Sequence, residues 1–457
     1  MYGRREQVEA HSFLVGRILA AVLRTDPDDP NRPLRRTTVG MAGGIGIALL
    51  VMGIVLIVSL LTGMGGNAWR EKPGFLVVDK DSGNRYMLVD GRLRPVLNYA
   101  SARLLAEGEP QVAKVSGEEL ADFPKGAPIG IPGAPDALPS PLAGGQPWTV
   151  CAGVQPDDPG LAATVGPMPG MSELGPNEAV LARVGDQQFL VWQGTRLRIT
   201  APWVPRALGL DPARAVPVDS AWLNTVPAGP DLGAPPVAHG GAGPVVAGQQ
   251  TVVGQLVTAP EAVGDKTFVV DAAGLVPVSR TVAALLGADP DVALPPTITI
   301  TPAQLATQQV LPAPVWQAEL PPQPPTGMDL ERRVPCVRWA ADEVTLVSAP
   351  DMSGTVANGE IAGVTRDGRV ADLVDVRPGA GFIARTRPAP GVPGAGVYLI
   401  TEAGAKFPVA NEKAAEALGY SVDAAEPVPA DLLALLPTGP VLDLIGRSQS
   451  ATEEEIR

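Results

Sequence analysis

No charged residue occurs between Arg36 and Arg70, and this interval constrains the fold more than any other feature of the chain. Inside it, residues 41–61 read MAGGIGIALLVMGIVLIVSLL. At 1.5 Å per residue, a helix over this run is about 31 Å long, the thickness of a bilayer's hydrocarbon core. A membrane helix over residues 39–62 is therefore expected. Nearly forty residues precede it and Thr62-Gly63-Met64-Gly65-Gly66 follows, which is neither the short basic start nor the small-residue exit of a cleavable leader. The segment reads as an uncleaved signal-anchor.

Charge sets the orientation. Arg24, Arg32, Arg35 and Arg36 flank the segment on one side, against Arg70 and Lys72 on the other. The positive-inside bias then places residues 1–38 in the cytoplasm and the bulk of the chain outside the inner (plasma) membrane. Gly40, Gly44 and Ala48 form a small-residue face suited to close helix packing, or reflect only the frequency of Gly in membrane helices. Upstream, Val8, Ser12, Val15, Leu19 and Val22 predict an amphipathic helix over residues 7–23, ended by residues 26–30. Docking a partner and lying on the bilayer both fit it.

The formal net charge is -13, and the first 38 residues, with seven Arg against five Asp and Glu, are net basic while the remainder carries the negative balance. A reader of phosphate backbones needs a basic footprint, so nucleic acid is excluded as a partner. The 52 Gly and 50 Pro follow no strict period, which predicts short strands joined by turns. Cys151 and Cys336 both fall outside the membrane by the orientation above. An even count there predicts one disulfide, with two unrelated buried thiols as the alternative. No metal is expected, because His11 is cytoplasmic and His239 stands alone in a Gly-rich loop, residues 239–243.

A pattern recurs four times: a turn glycine, an aromatic-led strand, a second turn glycine, another strand, then a helical stretch. The lead aromatics are Tyr86, Phe189, Phe268 and Tyr398. Gly83, Gly185, Gly264 and Gly394 precede them, and Gly91, Gly194, Gly274 and Gly404 follow. Helical runs close near Leu105, Leu208, Leu286 and Leu418, with Gly209, Gly287 and Gly419 as C-terminal stops. Units two and four run on to Val226-Pro227-Ala228-Gly229-Pro230 and Leu436-Pro437-Thr438-Gly439-Pro440. Phe123-Pro124-Lys125-Gly126 resembles them, and Leu311-Pro312 is the weaker match in unit three. A hairpin with one helix buries little alone, so such units lean on a neighbour or a common core.

The lead aromatics are spaced by 103, 79 and 130 residues, and the surplus segments contain the two cysteines. The expected class is α+β: one N-terminal transmembrane helix, then an elongated extracytoplasmic region of four small β-hairpin/helix repeats around a central, mainly-β, disulfide-stapled domain. The expected units are repeats at 70–140, 179–235, 236–325 and 389–445, with the centre built from 141–178 and 326–388. Runs at 344–347 and 361–364 are its candidate strands, residues 312–325 a stiff Pro-rich connector, and 446–457 a flexible acidic tail.

Several strings taken together resemble the EccB component of actinobacterial type VII secretion systems. They are Arg4-Arg5-Glu6-Gln7-Val8-Glu9-Ala10-His11, Leu97-Asn98-Tyr99-Ala100-Ser101-Ala102-Arg103-Leu104, Gly130-Ile131-Pro132-Gly133-Ala134-Pro135-Asp136 and Trp148-Thr149-Val150-Cys151. The resemblance covers nearly the whole chain. It implies a structural subunit of an inner-membrane secretion complex, with four repeats around a disulfide-bonded centre. The implied partners are other EccB subunits, the EccC motor ATPase, EccD, EccE, the mycosin protease and the lipid bilayer.

No catalytic residue and no cofactor is assigned. There is no G-x-x-x-x-G-K-[ST] loop, and the nearest fragment, Gly264-Asp265-Lys266-Thr267, lacks the upstream glycine and falls in a repeat's first hairpin. Neither His has a recognisable Ser or Cys partner, and no G-x-S-x-G elbow occurs. An extracytoplasmic ATP-hydrolysing subunit and an anchored cell-wall-binding module stand as the alternatives to the scaffold.

Overall fold

The computed structural model describes residues 3–24, 35–62, 68–141, 144–153, 160–260, 265–329, 333–350, 361–387 and 396–446. Residues 26–30, Gly264, Gly394 and the acidic residues 453–455 lie outside that set. The apolar run forms the helix Arg35–Thr62, and Val39–Ile57 within it is long and apolar enough to cross a bilayer. Ile45, Leu50 and Ile54 each keep more than half their surface exposed along it, a lining suited to hydrocarbon rather than water. The upstream helix, Arg4–Arg24, is slightly longer at both ends than its periodicity predicts.

Each repeat is a three-stranded antiparallel meander, then a helix, then a fourth strand that returns parallel to the first. In repeat one the strands are Phe75–Asp79, Arg85–Val89, Arg92–Pro95 and Gln111–Val115, with the helix Tyr99–Ala106 before the last. All four sheets share the order third, second, first, fourth. The first strands of the other repeats are Glu178–Val184, Leu256–Pro260 and Phe382–Thr386. The hairpin-plus-helix pattern had captured only the second and third strands. Phe382–Thr386, which the expected boundary at 388 assigns to the centre, pairs with Val397–Thr401 and opens repeat four.

A second short helix follows the fourth strand in each unit: Gly117–Ala121, Ser220–Asn224, Pro302–Leu305 and Ala430–Ala434. The chain then runs back along the third strand, bridging Leu93 with Lys125, Arg196 with Ala228, Leu275 with Val310 and Lys406 with Thr438. This return gives the recurrent Pro-x-Gly its role. Proline has no N–H but still accepts through its carbonyl, as Pro227 does from Arg196 N at 2.8 Å, while Gly229 N donates to Arg196 O at 2.9 Å. The glycine is required by space, since a Cβ at Gly229 would lie 2.6 Å from Thr195 Cγ2 and 2.8 Å from Leu197 Cδ2. Repeat three makes the same return through Gln309 and Leu311, so its match lies three residues before Leu311-Pro312. Gly287 is likewise not a stop: it lies inside the helix Arg280–Ala288. Gly209 and Gly419 do end their helices, at φ +75° and +89°.

The central sheet has six strands in the order Leu373–Val376, Leu161–Val165, Trp148–Ala152, Arg333–Ala340, Glu343–Pro350, Ser172–Glu173. Of the two runs expected to supply strands, 344–347 does so. Residues 361–364 form a turn instead, closed by Val364 N to Ile361 O at 3.0 Å, where Gly363 takes φ +75° against the backbone of Gly133. The Pro-rich stretch is also not a free connector. Its 3-10 helix Val315–Glu319 presents Trp316 to the core of repeats two and three, and Gln317 bonds Ser279 N and Pro277 O.

Substituting Gly229→Ala should destabilise the repeat-bearing region by about 1–3 kcal/mol through overpacking at the return strand. Denaturant unfolding of the detergent-solubilised chain checks this; Gly185→Ala, at a turn where an added Cβ has open space around it but φ is +57°, should show only the smaller backbone cost.

Candidate functional site

The candidate site is a junction rather than a pocket. In every repeat the first helix covers one face of the sheet, and the opposite face, which carries the lead aromatic, must be covered from outside. Repeats two and four lay this face on the central sheet. One apolar core joins Trp148, Val150, Ala163 and Val337 of the sheet to Ala182, Val191 and Leu223 of repeat two and to Phe382, Ile400 and Leu433 of repeat four. In repeat three a hairpin, Ala242–Val246 with Gln249–Val252, brings Val246 onto Phe268, Val270 and Leu275. The loop expected over 239–243 therefore gives way to a strand at Ala242. In repeat one the cover is Trp69, packed with Val77, Leu93, Val115 and Leu120.

The helix faces pair the repeats with one another. Repeats two and three share a core through Val204, Leu208, Val282 and Leu285. Repeats one and four meet through Ala100 and Leu104 against Ala414 and Leu418, and Arg103 Nε donates to Ala417 O at 3.0 Å, a cation at a helix C-terminus. The order of contact is thus repeat one, repeat four, centre, repeat two, repeat three.

Polar groups fix the junction where apolar burial alone would let it slide. The Trp222 indole donates to Val150 O at 3.0 Å, and the Trp339 indole to Thr225 O at 2.9 Å. Arg369 binds both Asp372 oxygens at 2.8 Å and reaches Asp219 Oδ2, also at 2.8 Å. Asp219 caps the helix Ser220–Asn224, and Asp372 accepts from Leu161 N, so one guanidinium ties repeat two to the sheet. Hydrogen bonding by Arg369 holds the Asp372 carboxyl below the usual carboxylate range, against the opposing effect of burial.

Arg196 and Lys406 hold equivalent positions in repeats two and four. Arg196 Nη1 donates to Leu223 O at 2.7 Å and Lys406 Nζ to Leu433 O at 2.6 Å, each at the end of the second short helix. Repeats one and three place the buried Leu93 and Leu275 there. Burial lowers the Lys406 ammonium to about 8. The sequence signal of this pair, a cation alternating with leucine at one register position, emerges only when the repeats are aligned strand by strand.

Cys151 and Cys336 face each other in register on adjacent antiparallel strands and are disulfide-bonded. They lie on the face turned away from repeats two and four, among Ala162, Val334, Val347 and Ala349. They are 185 positions apart in sequence, and the chain between them includes repeats two and three entire. Asp265, Lys266 and Thr267 lie on the strand Asp265–Asp271. Among the described residues no group of three or more His, Cys, Asp or Glu is placed to hold a metal ion.

Two of the strings that carry the family resemblance, residues 97–104 and 130–136, meet in space. Asn98 caps the helix Tyr99–Ala106 and donates to Ile131 O, Ser101 Oγ accepts from Ile131 N, and Asp136 accepts from Tyr99 N while pairing with Arg85. Residues 2–450 match the family model described as "Type VII secretion system ESX-1, transport TM domain B". The chain belongs to the EccB family. Curated relatives of this EccB chain include the ESX-5 secretion system ATPase EccB5 of Mycobacterium tuberculosis (strain ATCC 25618 / H37Rv), 29% identical over 96% of this chain and 91% of the relative. The ESX-3 secretion system ATPase EccB3 of Mycolicibacterium smegmatis is 31% identical over 96% and 89%. A chain in an intact ESX-5 inner membrane complex matches with a TM-score of 0.65 at 27% identity, over 99% of this chain and 95% of that one. The EccB3 dimer from the ESX-3 core complex matches with a TM-score of 0.65 at 26% identity, over 82% and 99%.

Two outcomes test the junction. For Lys406, the folded value near 8 lies below the unfolded value of about 10.4, so the unfolded chain binds the extra proton between them and stability rises with pH across that window. The stability of wild type minus that of Lys406→Leu should increase from pH 8 to pH 10 and stay flat below pH 7, measured by denaturant midpoints. Replacing both cysteines by serine should cost up to about 5 kcal/mol, the chain-entropy value for so long a loop, read from the same unfolding curves; an unchanged midpoint would refute the staple.

Proposed function

We propose that this chain is a non-enzymatic, membrane-anchored scaffold of a type VII secretion inner-membrane complex, whose extracytoplasmic region holds the assembly together in support of protein export. The observation that carries this reading is its likeness, along almost its full length, to a chain in an intact ESX-5 inner membrane complex. The buried apolar junctions of the outer region support it as well, because they build extended covered surfaces rather than a reaction cleft. On this reading the N-terminus is cytoplasmic, and the partners are further EccB subunits, the EccC motor ATPase, EccD, EccE and the mycosin protease. The division into units at 70–140, 179–235 and 236–325, with the fourth carried back to Phe382, belongs to the same proposal.

The relatives' names include the word ATPase, and that favours a second reading as a nucleotide-hydrolysing subunit. Against it, Lys266 is on a strand and not in a phosphate-cradling loop before a helix. Gentle detergent extraction from cells expressing the system should recover this chain with the motor ATPase and a polytopic membrane subunit. Recovery as a free monomer would sink the scaffold, and ATP turnover abolished by Lys266→Ala would establish the enzyme.

A further inference from the structure

Trp69 belongs to a four-residue helix, Ala68–Glu71, and only residues 63–67 separate that helix from the membrane helix. It is 2% exposed. Its ring centroid lies 5.0 Å from that of Phe123, and the Arg70 guanidinium carbon lies 5.2 Å from the Trp69 ring and 5.4 Å from the Phe123 ring. Glu119 approaches the same guanidinium at 3.8 Å. The face that Trp69 covers is the one that repeats two and four cover with a six-stranded sheet and repeat three with a hairpin. Here one aromatic side chain, clamped by a cation on two rings, does that task. It is also carried on the segment that leads out of the membrane.

We propose that Trp69 is a latch that sets the distance between the bilayer and the outer body. The proposal rests on residues 39–62 spanning the membrane. With Trp69 seated, six Cα steps join Thr62 to Ala68, a reach of about 21 Å. With Trp69 released, the chain is free as far as Phe75, thirteen steps and about 45 Å. Release leaves the contact between repeats one and four intact, because that contact uses Ala100, Arg103 and Leu104 on the other face of the sheet. The latch therefore lengthens the tether without dismantling the array, and Arg70 favours the closed position because it loses a ring when Trp69 leaves.

The test uses the full chain in lipid nanodiscs with pairs of spin labels. Both native cysteines are disulfide-bonded, so introduced cysteines are labelled selectively. Leu56→Cys with Glu109→Cys reports the membrane helix against repeat one, and Glu109→Cys with Lys413→Cys reports repeat one against repeat four. Trp69→Ala should move the upper edge of the first distance distribution outward by up to about 24 Å, the difference between the two reaches, and leave the second pair unchanged. Trp69→Phe should restore the wild-type edge. An unmoved first pair overturns the latch, and movement of both pairs overturns it too, since Trp69 would then hold repeat one's fold rather than the tether. Accessibility of the Leu56 label to a water-soluble relaxant, and not to oxygen, would instead refute the membrane reading on which the latch rests.

Discussion

Every repeat in this molecule has a face it cannot cover. Four strands and one helix bury the helix side of the sheet, and the other side presents an aromatic, an apolar residue from the first strand and the leucine of the second short helix. About 25 cal/mol per Å² of apolar surface is lost if that side meets water. Four copies of the motif therefore pose the same problem four times, and the architecture is the set of answers. The central sheet answers for repeats two and four at once, which is why its core is continuous with both. A hairpin answers for repeat three and Trp69 for repeat one.

This constraint separates chain order from spatial order. A sheet that serves both repeats two and four must be assembled from segments on either side of repeats two and three, and its strands at Trp148–Ala152 and Arg333–Ala340 come from far apart in the chain. Forming that pair closes a very long loop before any neighbouring contact rewards it. The disulfide sits on this pairing. It removes much of the closure entropy from the unfolded chain, and its place on the face away from the repeats leaves the docking face free for indole and aliphatic packing. Arg369 acts at the edge of the sheet, where the parallel contact of Leu373–Val376 with Leu161–Val165 gains a charged tie to repeat two.

The membrane helix, the number of repeats, the cysteine pairing and the family were legible in the sequence because each leaves a local trace: an uncharged run, a recurring aromatic between turn glycines, an even cysteine count, a set of strings. The first and fourth strands of each repeat were not. They are two to seven residues long, their partners lie across a helix, and Val216–Pro217 or Ile298–Thr299 looks like any loop until the first strand is beside it. Ile361 and Val364 misled because an apolar pair in a Gly-containing stretch reads as a strand, whereas here the close approach of Gly363 to Gly133 makes a turn. Residues 312–325 misled in the opposite direction, since proline density masked Trp316 and Gln317, which dock the segment.

The alternation of cation and leucine at one position shows how a single repeat sequence is steered toward different neighbours. Leu93 and Leu275 complete small apolar cores closed by a tryptophan or a hairpin from the same chain. Arg196 and Lys406 instead carry a positive charge to the end of a short helix whose leucines enter the central core, adding a charged donor to Leu223 O and Leu433 O, which already accept from Val226 N and Leu436 N. Reaching the carbonyl requires the side chain to run along the sheet, so the aliphatic stem still packs while the charged tip meets oxygen. A scaffold whose units are linked in series carries force only as well as its weakest junction. Here the junction of repeat two with the centre combines continuous burial with the indole-to-carbonyl bonds of Trp222 and Trp339, which favour one register over a sliding contact.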